Sequence, residues 1–170
     1  DEATRAWNFH LALYYKAGLR PWRIARRASD LHSCYVGISF YRSLDRESLM
    51  TSMAQVYDER GEGVIVRGNP VQLSKDDRQP HLSAIDGFAL LTHALKEYRR
   101  EHKHAPARIV VHKSSGYSAE ELEGFTRAVD EQELDTADFL VVSKSLTRLF
   151  RQGNYPPLRG QLLSLDARTH

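Results

Sequence analysis

The sequence predicts an α/β domain built on a mixed sheet, an antiparallel meander of three strands followed by helices alternating with parallel strands. Three observations carry this. The run Cys34-Tyr-Val-Gly-Ile-Ser-Phe-Tyr41 crowds β-branched and aromatic residues into eight positions without a charge. Two more strand-like runs, Thr51–Tyr57 and Gly63–Arg67, follow closely, joined by the turn Glu59-Arg-Gly-Glu-Gly63. After them, segments of helical period alternate with short apolar runs.

Taken in order, residues 2–17 read as a helix with Trp7, Leu11, Tyr14 and Tyr15 on one stripe. Gly18 is its natural C′ residue and Pro21 blocks resumption. A polar connection over 26–33 leads into the first strand. Alternation there puts Cys34, Val36, Ile38 and Phe40 on one face and Tyr35, Gly37, Ser39 and Tyr41 on the other. Its lack of charge suits a central strand of a buried sheet. Asp45–Ser48 and Gly68–Pro80 read as polar loops, the second holding Asp76 and Asp77. A long helix covers about 83–103, with Leu82, Ile85, Phe88, Ala89, Leu95 and Tyr98 near helical spacing and Ser83 and Asp86 in capping positions. The apolar strand Arg108–His112 and the tight Lys113-Ser-Ser-Gly116 lead to a helix at about 119–131. That helix has a Ser118/Glu121 capping box and turns Leu122, Phe125 and Val129 inward. Asp138–Ser143 is the last strand, and 153–160 reads as loop.

The bulk properties are those of an ordinary globular chain. Its 170 residues suffice for one core, with 41% hydrophobic and 27% charged residues. No apolar run is long enough to span a bilayer, and the polar start is no secretory signal. The single cysteine, Cys34, cannot form an internal disulfide and reads as a buried inert thiol. These features fit a cytoplasmic protein with no membrane partner. Net charge is +2, but three basic groups stand out: Arg20, Arg23, Arg26 and Arg27; Lys96, Arg99, Arg100 and Lys103; and Lys144, Arg148, Arg151 and Arg159. Each alone is an ordinary solvated face, and together they raise nucleic acid as a partner.

The order βββ-α-β-α-β matches the RNase H-like arrangement, which hosts nucleases, kinases and inert descendants alike. Several chemistries are disfavoured. There is no P-loop or dinucleotide fingerprint. One cysteine and scattered histidines, His102 and His104 among them, do not make the ligand spacing of a zinc site. Neither Ser39 nor Ser114 sits in a Gly-x-Ser-x-Gly elbow. An RNase H-like nuclease needs carboxylates at the ends of its first and fourth strands to hold two Mg²⁺ ions. Here those ends carry Ser39 on one side and His112, Lys113 and Ser114 on the other. A hydroxyl supplies little of the charge required, and a lysine would repel the metal. No metal ligand set is expected.

Four stretches resemble the Piwi domain of prokaryotic Argonaute proteins: Leu13-Tyr-Tyr-Lys-Ala-Gly-Leu-Arg-Pro-Trp22, Cys34-Tyr-Val-Gly-Ile-Ser-Phe40, Arg108-Ile-Val-Val-His-Lys113 and Thr147-Arg-Leu-Phe150. Their order and spacing agree along nearly the whole chain. The resemblance implies binding of a short guide RNA or DNA that pairs with a target DNA or RNA. Family members that cut use an Asp in Gly-x-Asp on strand one and another in Arg-Asp-Gly after strand four. This chain has Gly37-Ile-Ser39 and Lys113-Ser114-Ser115 there, and the Gly68–Pro80 loop, where the family's glutamate finger falls, contains no Glu. The implied type is therefore catalytically inactive, with Ser39 and Ser114 as degenerate catalytic positions.

The resemblance also implies nucleic-acid contacts. Lys16 matches the lysine of the family's Lys-x-Gly-Gly stretch at the guide 5′ phosphate, although Leu19 replaces the second Gly and Ala12 replaces a lysine found in some relatives. The competing reading of Lys16 is a helix-end cation favoured by the dipole. Arg148 matches an arginine beside the guide backbone, Lys144 lies in the same basic group, and Lys113 lines the former active-site floor within reach of target backbone. This segment implies no cofactor, and a divalent cation at the guide 5′ phosphate is compatible with it. Residues 1–31 correspond to a junction helix and linker from a middle domain, and 32–170 to the N-terminal part of a Piwi domain, incomplete at the C-terminus. Implied partners are the remaining Argonaute domains and an associated effector nuclease or NAD-consuming protein in prokaryotic defence. Two alternatives stand beside this reading: a metal-dependent, guided endonuclease using displaced carboxylates such as Asp76 or Asp77, and a module of the same fold that binds only protein.

Overall fold

The computed structural model describes residues 1–19, 22, 32–42, 49–57, 63–71, 73–75, 77–148, 152–153 and 160–169, with backbone only at 42, 49–55 and 57. The basic group Arg20–Arg27, the Asp45–Ser48 loop, residues 59–62 of the hairpin turn, Asp76, Leu149, Phe150, Arg151 and Arg159 lie outside the described residues.

The elements run α1 (Glu2–Lys16), β1 (Ser33–Arg42), β2 (Leu49–Tyr57), β3 (Gly63–Arg67), β4 (Pro70–Val71), α2 (Ala84–His102), β5 (Arg108–Lys113), α3 (Ala119–Glu131) and β6 (Thr136–Val141). They form one mixed sheet in the order β3-β2-β1-β5-β6, with β4 added beside β2. β1, β2 and β3 are an antiparallel meander, whereas β1, β5 and β6 run parallel. The strand Cys34–Tyr41 is thus the middle of the sheet, as its composition predicts.

Both inner helices cover one face. Cys34, Val36, Ile38, Ile109 and Val111 are buried on it, against Leu90, Leu91, Ala94, Leu95 and Tyr98 of α2 and Phe125, Ala128 and Val129 of α3. Each fully buried large side chain, such as Leu91 or Phe125, contributes about 1.5–3 kcal/mol, so this layer dominates the stability. The two helices approach closely because Gly87 and Gly124 lie between them: a Cβ on Gly124 would run into the backbone of Ala84. On the opposite face, among the described residues, Tyr35 and Ile65 are exposed at 37% and 56%, whereas Val110 beside Tyr35 is buried. The central strand is therefore buried on one side, not two.

Several local expectations are corrected. α1 ends as predicted in a Schellman turn, with Gly18 at φ 75 and Leu19 N–H donating to the Tyr14 carbonyl. Yet none of its residues is buried; Trp7, stacked on Trp22 at 6.2 Å, is 60% exposed. Apolar spacing predicts a stripe, not the surface that would cover it. In α2, Ile85 is 73% exposed and Ala89 is exposed, and the buried face is Gly87, Leu90, Leu91, Ala94, Leu95 and Tyr98. In α3, Phe125 and Val129 point inward but Leu122 does not. The expected Gly68–Pro80 loop contains β4 and the bridge Leu73↔Pro80, elements too short to leave a periodicity. β6 starts two residues earlier than expected, paired with β5 from Arg108↔Thr136 onward.

Candidate site at the carboxyl end of the parallel strands

The last register pair between β1 and β5 is Ile38↔Lys113. Ser39 and Ser114 are each the next residue along two parallel neighbours, so they emerge side by side at the sheet's carboxyl edge. That edge is where open α/β sheets collect ligands. Both serines are exposed. A register shift on β2 falls between Ser39 and Phe40: Ser39 pairs with Met53, whereas Phe40 pairs with Thr51. The bulge bends the strand where it reaches the edge. Beneath Ser39 on the open face, His112 lies so close to Gly37 that a Cβ there would approach its Nε2 to 2.9 Å.

Lys113 lies elsewhere than expected. Alternation puts it on the face of Ile109 and Val111, and its side chain is fully buried. Its Nζ donates to both Glu121 carboxylate oxygens at 2.6 Å and stands 4.8 Å above the Tyr117 ring. The ammonium therefore does not face the edge, and the expected contact with a target backbone does not fit this geometry. Lysine is tolerated there because Glu121, in the first turn of α3, reaches back beneath the strand.

Glu121 is the residue that its capping role conceals. The predicted box with Ser118 is present, Glu121 N–H donating to Ser118 Oγ and Glu121 Oε2 accepting from Ser118 N–H. The same carboxylate accepts from Leu82 N–H at 2.9 Å and bonds His81 Nδ1 at 3.0 Å. His81 Nε2 lies 2.8 Å from Asp77 Oδ2. The result is a row of alternating charge, Asp77–His81–Glu121–Lys113, reaching from the surface into the core. Burial raises the Glu121 carboxyl, but the bonds from Lys113, Leu82 and Ser118 outweigh it and hold the group below its ordinary value. Burial pulls the His81 imidazole down, and its bonds to Asp77 and Glu121 more than reverse this, leaving it raised. Asp77, bonded to His81 and to Gln79 N–H, is lowered to about 2. Burial and the Glu121 charge push the Tyr117 phenol up, and its hydroxyl donates to the Val111 carbonyl at 2.9 Å.

Lys113 was one pointer available in the sequence. A lysine that shares a face with Ile109 and Val111 demands a buried carboxylate, and α3 begins with two glutamates.

The remaining cations divide. Lys16, in the last turn of α1, is exposed. Lys144 and Arg148 are exposed beyond β6, whose pairing extends to a bond from Val142 N–H to the Lys113 carbonyl, so Lys144 stands at the same sheet edge as Ser114. Arg148 Nη1 donates to the carbonyls of Ser145 and Thr147. The group at the end of α2 is largely engaged within the fold: Arg99 donates to the Gln132 carbonyl, Arg100 pairs with Glu97 and Lys103 donates to the Arg100 carbonyl. His102 and His104, counted above among the scattered histidines, form a ring cluster with Tyr98 and His32. Asp77, the described one of the two displaced carboxylates, is tied to His81 and Gln79.

No helix among the described residues is long and apolar enough to cross a membrane. No family model and no curated protein matches the chain. Among solved structures it is similar to Marinitoga piezophila Argonaute in complex with 5′ OH guide RNA, at 12% identity and a TM-score of 0.43, over 61% of this chain and 15% of that one. It is also similar to the same protein in complex with 5′ OH guide RNA and target DNA, at 13% identity and a TM-score of 0.46, over 66% of this chain and 17% of that one. The chain thus spans a small part of the length of either, and similarity at this level assigns it no family.

Proposed function

We propose that this chain is part of an Argonaute Piwi domain with RNase H-like topology, one that binds a short guide strand and its target without cutting. The observation that supports it most directly is the pair of serines at adjacent strand ends, one step beyond Ile38↔Lys113. An edge built for two-metal hydrolysis needs anionic oxygens at those two positions. Serine hydroxyls supply none, and the nearby Glu121 carboxylate is committed to Lys113. The motif resemblance in the four stretches above, together with the meander-then-parallel strand order, supplies the family reading.

On this reading the exposed cations Lys16, Lys144 and Arg148 touch phosphates of the guide or target. Such contacts add sequence-independent affinity. Residues 1–31 form the junction with a middle domain, and any divalent cation belongs at the guide 5′ phosphate. Cutting falls to an associated effector in prokaryotic defence, in the cytoplasm. The test is a cleavage assay of a guide-matched target with Mg²⁺ or Mn²⁺, run beside a target-retention assay. Retention without cleavage is expected; metal-dependent cleavage by the purified protein overturns the proposal in favour of a guided nuclease.

A further inference from the structure

The segment before α2 folds as a small hairpin. Leu73 bridges Pro80, Ser74 N–H donates to the Gln79 carbonyl at 2.9 Å, and Arg78 N–H donates to the Ser74 carbonyl at 3.1 Å. Arg78 turns the chain with a φ of 57, an uncommon conformation for arginine. Three ties connect this hairpin to the β5–α3 turn that carries Ser114 and to α3 itself. Gly116 N–H donates to Gln79 Oε1 at 2.9 Å and Ser115 Oγ reaches the Pro80 carbonyl at 3.4 Å, and His81 bonds Glu121 just beyond that turn, in α3, while its other nitrogen holds Asp77 at the hairpin's tip.

We propose that Asp77, His81, Glu121 and Lys113 form a proton-operated clasp that holds the Asp77–Arg78 tip of the 73–81 hairpin down on His81, which is itself anchored to Glu121 of α3 beside the Ser39/Ser114 edge. Both partners of His81 are carboxylate oxygens, which accept and do not donate when ionised. The imidazole can satisfy both only by carrying a hydrogen on each nitrogen, that is, as the imidazolium. The row then reads minus, plus, minus, plus, and is neutral. Groups facing His81 from the surrounding elements are Asp77 on the hairpin, Glu121 on α3, Lys113 on β5 through Glu121, and Asp86 and Glu120 across a cleft of about 630 Å³. Apart from Lys113 these are acidic, so the surroundings favour the charged ring.

Loss of one proton breaks one end. Glu121 is fully buried and already receives Lys113, Leu82 N–H and Ser118 N–H, so the remaining ring hydrogen stays on its side. Asp77 is 42% exposed and can be solvated instead. A neutral Nε2 would present a lone pair to the Asp77 carboxylate, and that end releases. Because His81 is itself 14% exposed, water can exchange the proton without unfolding. The clasp closes when the ring is charged and frees the hairpin's Asp77–Arg78 tip as pH rises, while Gln79, Pro80 and His81 keep their ties to Gly116, Ser115 and Glu121. It does not depend on the proposed function.

The experiment follows the ring nitrogens of His81 by ¹⁵N NMR and trypsin cleavage after Arg78, between about pH 5 and pH 9, in the wild type and in Asp77→Asn. Both nitrogens should be protonated at the low end. Cleavage of the wild type should rise several-fold as the ring titrates, beyond any change in trypsin's own activity measured on a free peptide. Asp77→Asn, whose amide can bond the ring in either state, should not show that rise. A ring with one bare nitrogen at the low end, equal wild-type cleavage across the range, or parallel profiles for the two proteins each overturns the clasp.

Discussion

Lys113 Nζ lies 2.6 Å from both carboxylate oxygens of Glu121, and both side chains are fully buried. The pair joins the end of the central parallel ladder to the first turn of α3, directly behind the serines of the candidate site. It makes the cation that borders the edge an internal one. A buried pair of this kind adds little over an apolar replacement, but breaking it is costly because one charge is left without a partner.

Glu121→Gln should therefore destabilise the fold by about 3–5 kcal/mol, read as a shift in the denaturation midpoint at constant slope. Lys113→Met should cost less, because Glu121 keeps His81 and two backbone donors. Equal stability of Glu121→Gln and the wild type would contradict the buried pair.

Gly124→Ala tests the helix contact. A Cβ there meets the Ala84 backbone, which cannot swing aside as a side chain would. The expected loss is about 1–3 kcal/mol or more. An unchanged or raised melting temperature would show that α2 and α3 do not approach this closely.

The pH dependence of stability has a definite sign. The folded pKa of His81 is raised, so its contribution is fully present below the unfolded value and is lost as pH rises through the folded one. Asp77 is lowered to about 2, so its contribution is present above the ordinary carboxylate value and is lost as pH falls towards that figure. Stability should thus decline as pH rises past the ordinary imidazole value of 6.5, and His81→Gln should flatten that decline. Denaturant titrations at several pH values check both statements.

On the proposed guide-binding reading, Arg148→Ala should weaken guide binding about uniformly across sequences and lower the salt slope by about one unit. Binding isotherms at several salt concentrations measure it; an unchanged slope removes Arg148 from the interface.

Much of this architecture was legible in the residues. α3 and its capping box fall at the predicted positions because Ser118 and Glu121 satisfy backbone donors locally, and local satisfaction leaves a local signature. The β1 faces follow from strict alternation. The inward face of α2 was read in part: Leu82, Leu95 and Tyr98 are buried and Phe88 packs on the core, but Ile85 and Ala89 are exposed and Leu90 and Leu91 take their place, because spacing alone supports either stripe. Gly87, which lies against Phe125 and Glu121 of α3, settles the choice only once α3 is in place. At the site, the two serines were visible from motif position, whereas the burial of Lys113 was not read out. It requires knowing that α3 turns Glu121 under β5, a tertiary contact eight residues away in sequence.

The most direct test of the central claim uses the full-length protein purified from its own cells. Short nucleic acids that co-purify are sequenced, and a target matched to them is incubated with the protein and Mn²⁺. The account predicts guides with a uniform 5′ end, a retained target and no cleavage product. Absence of any bound short strand, or a metal-dependent cut in the matched target, would contradict it.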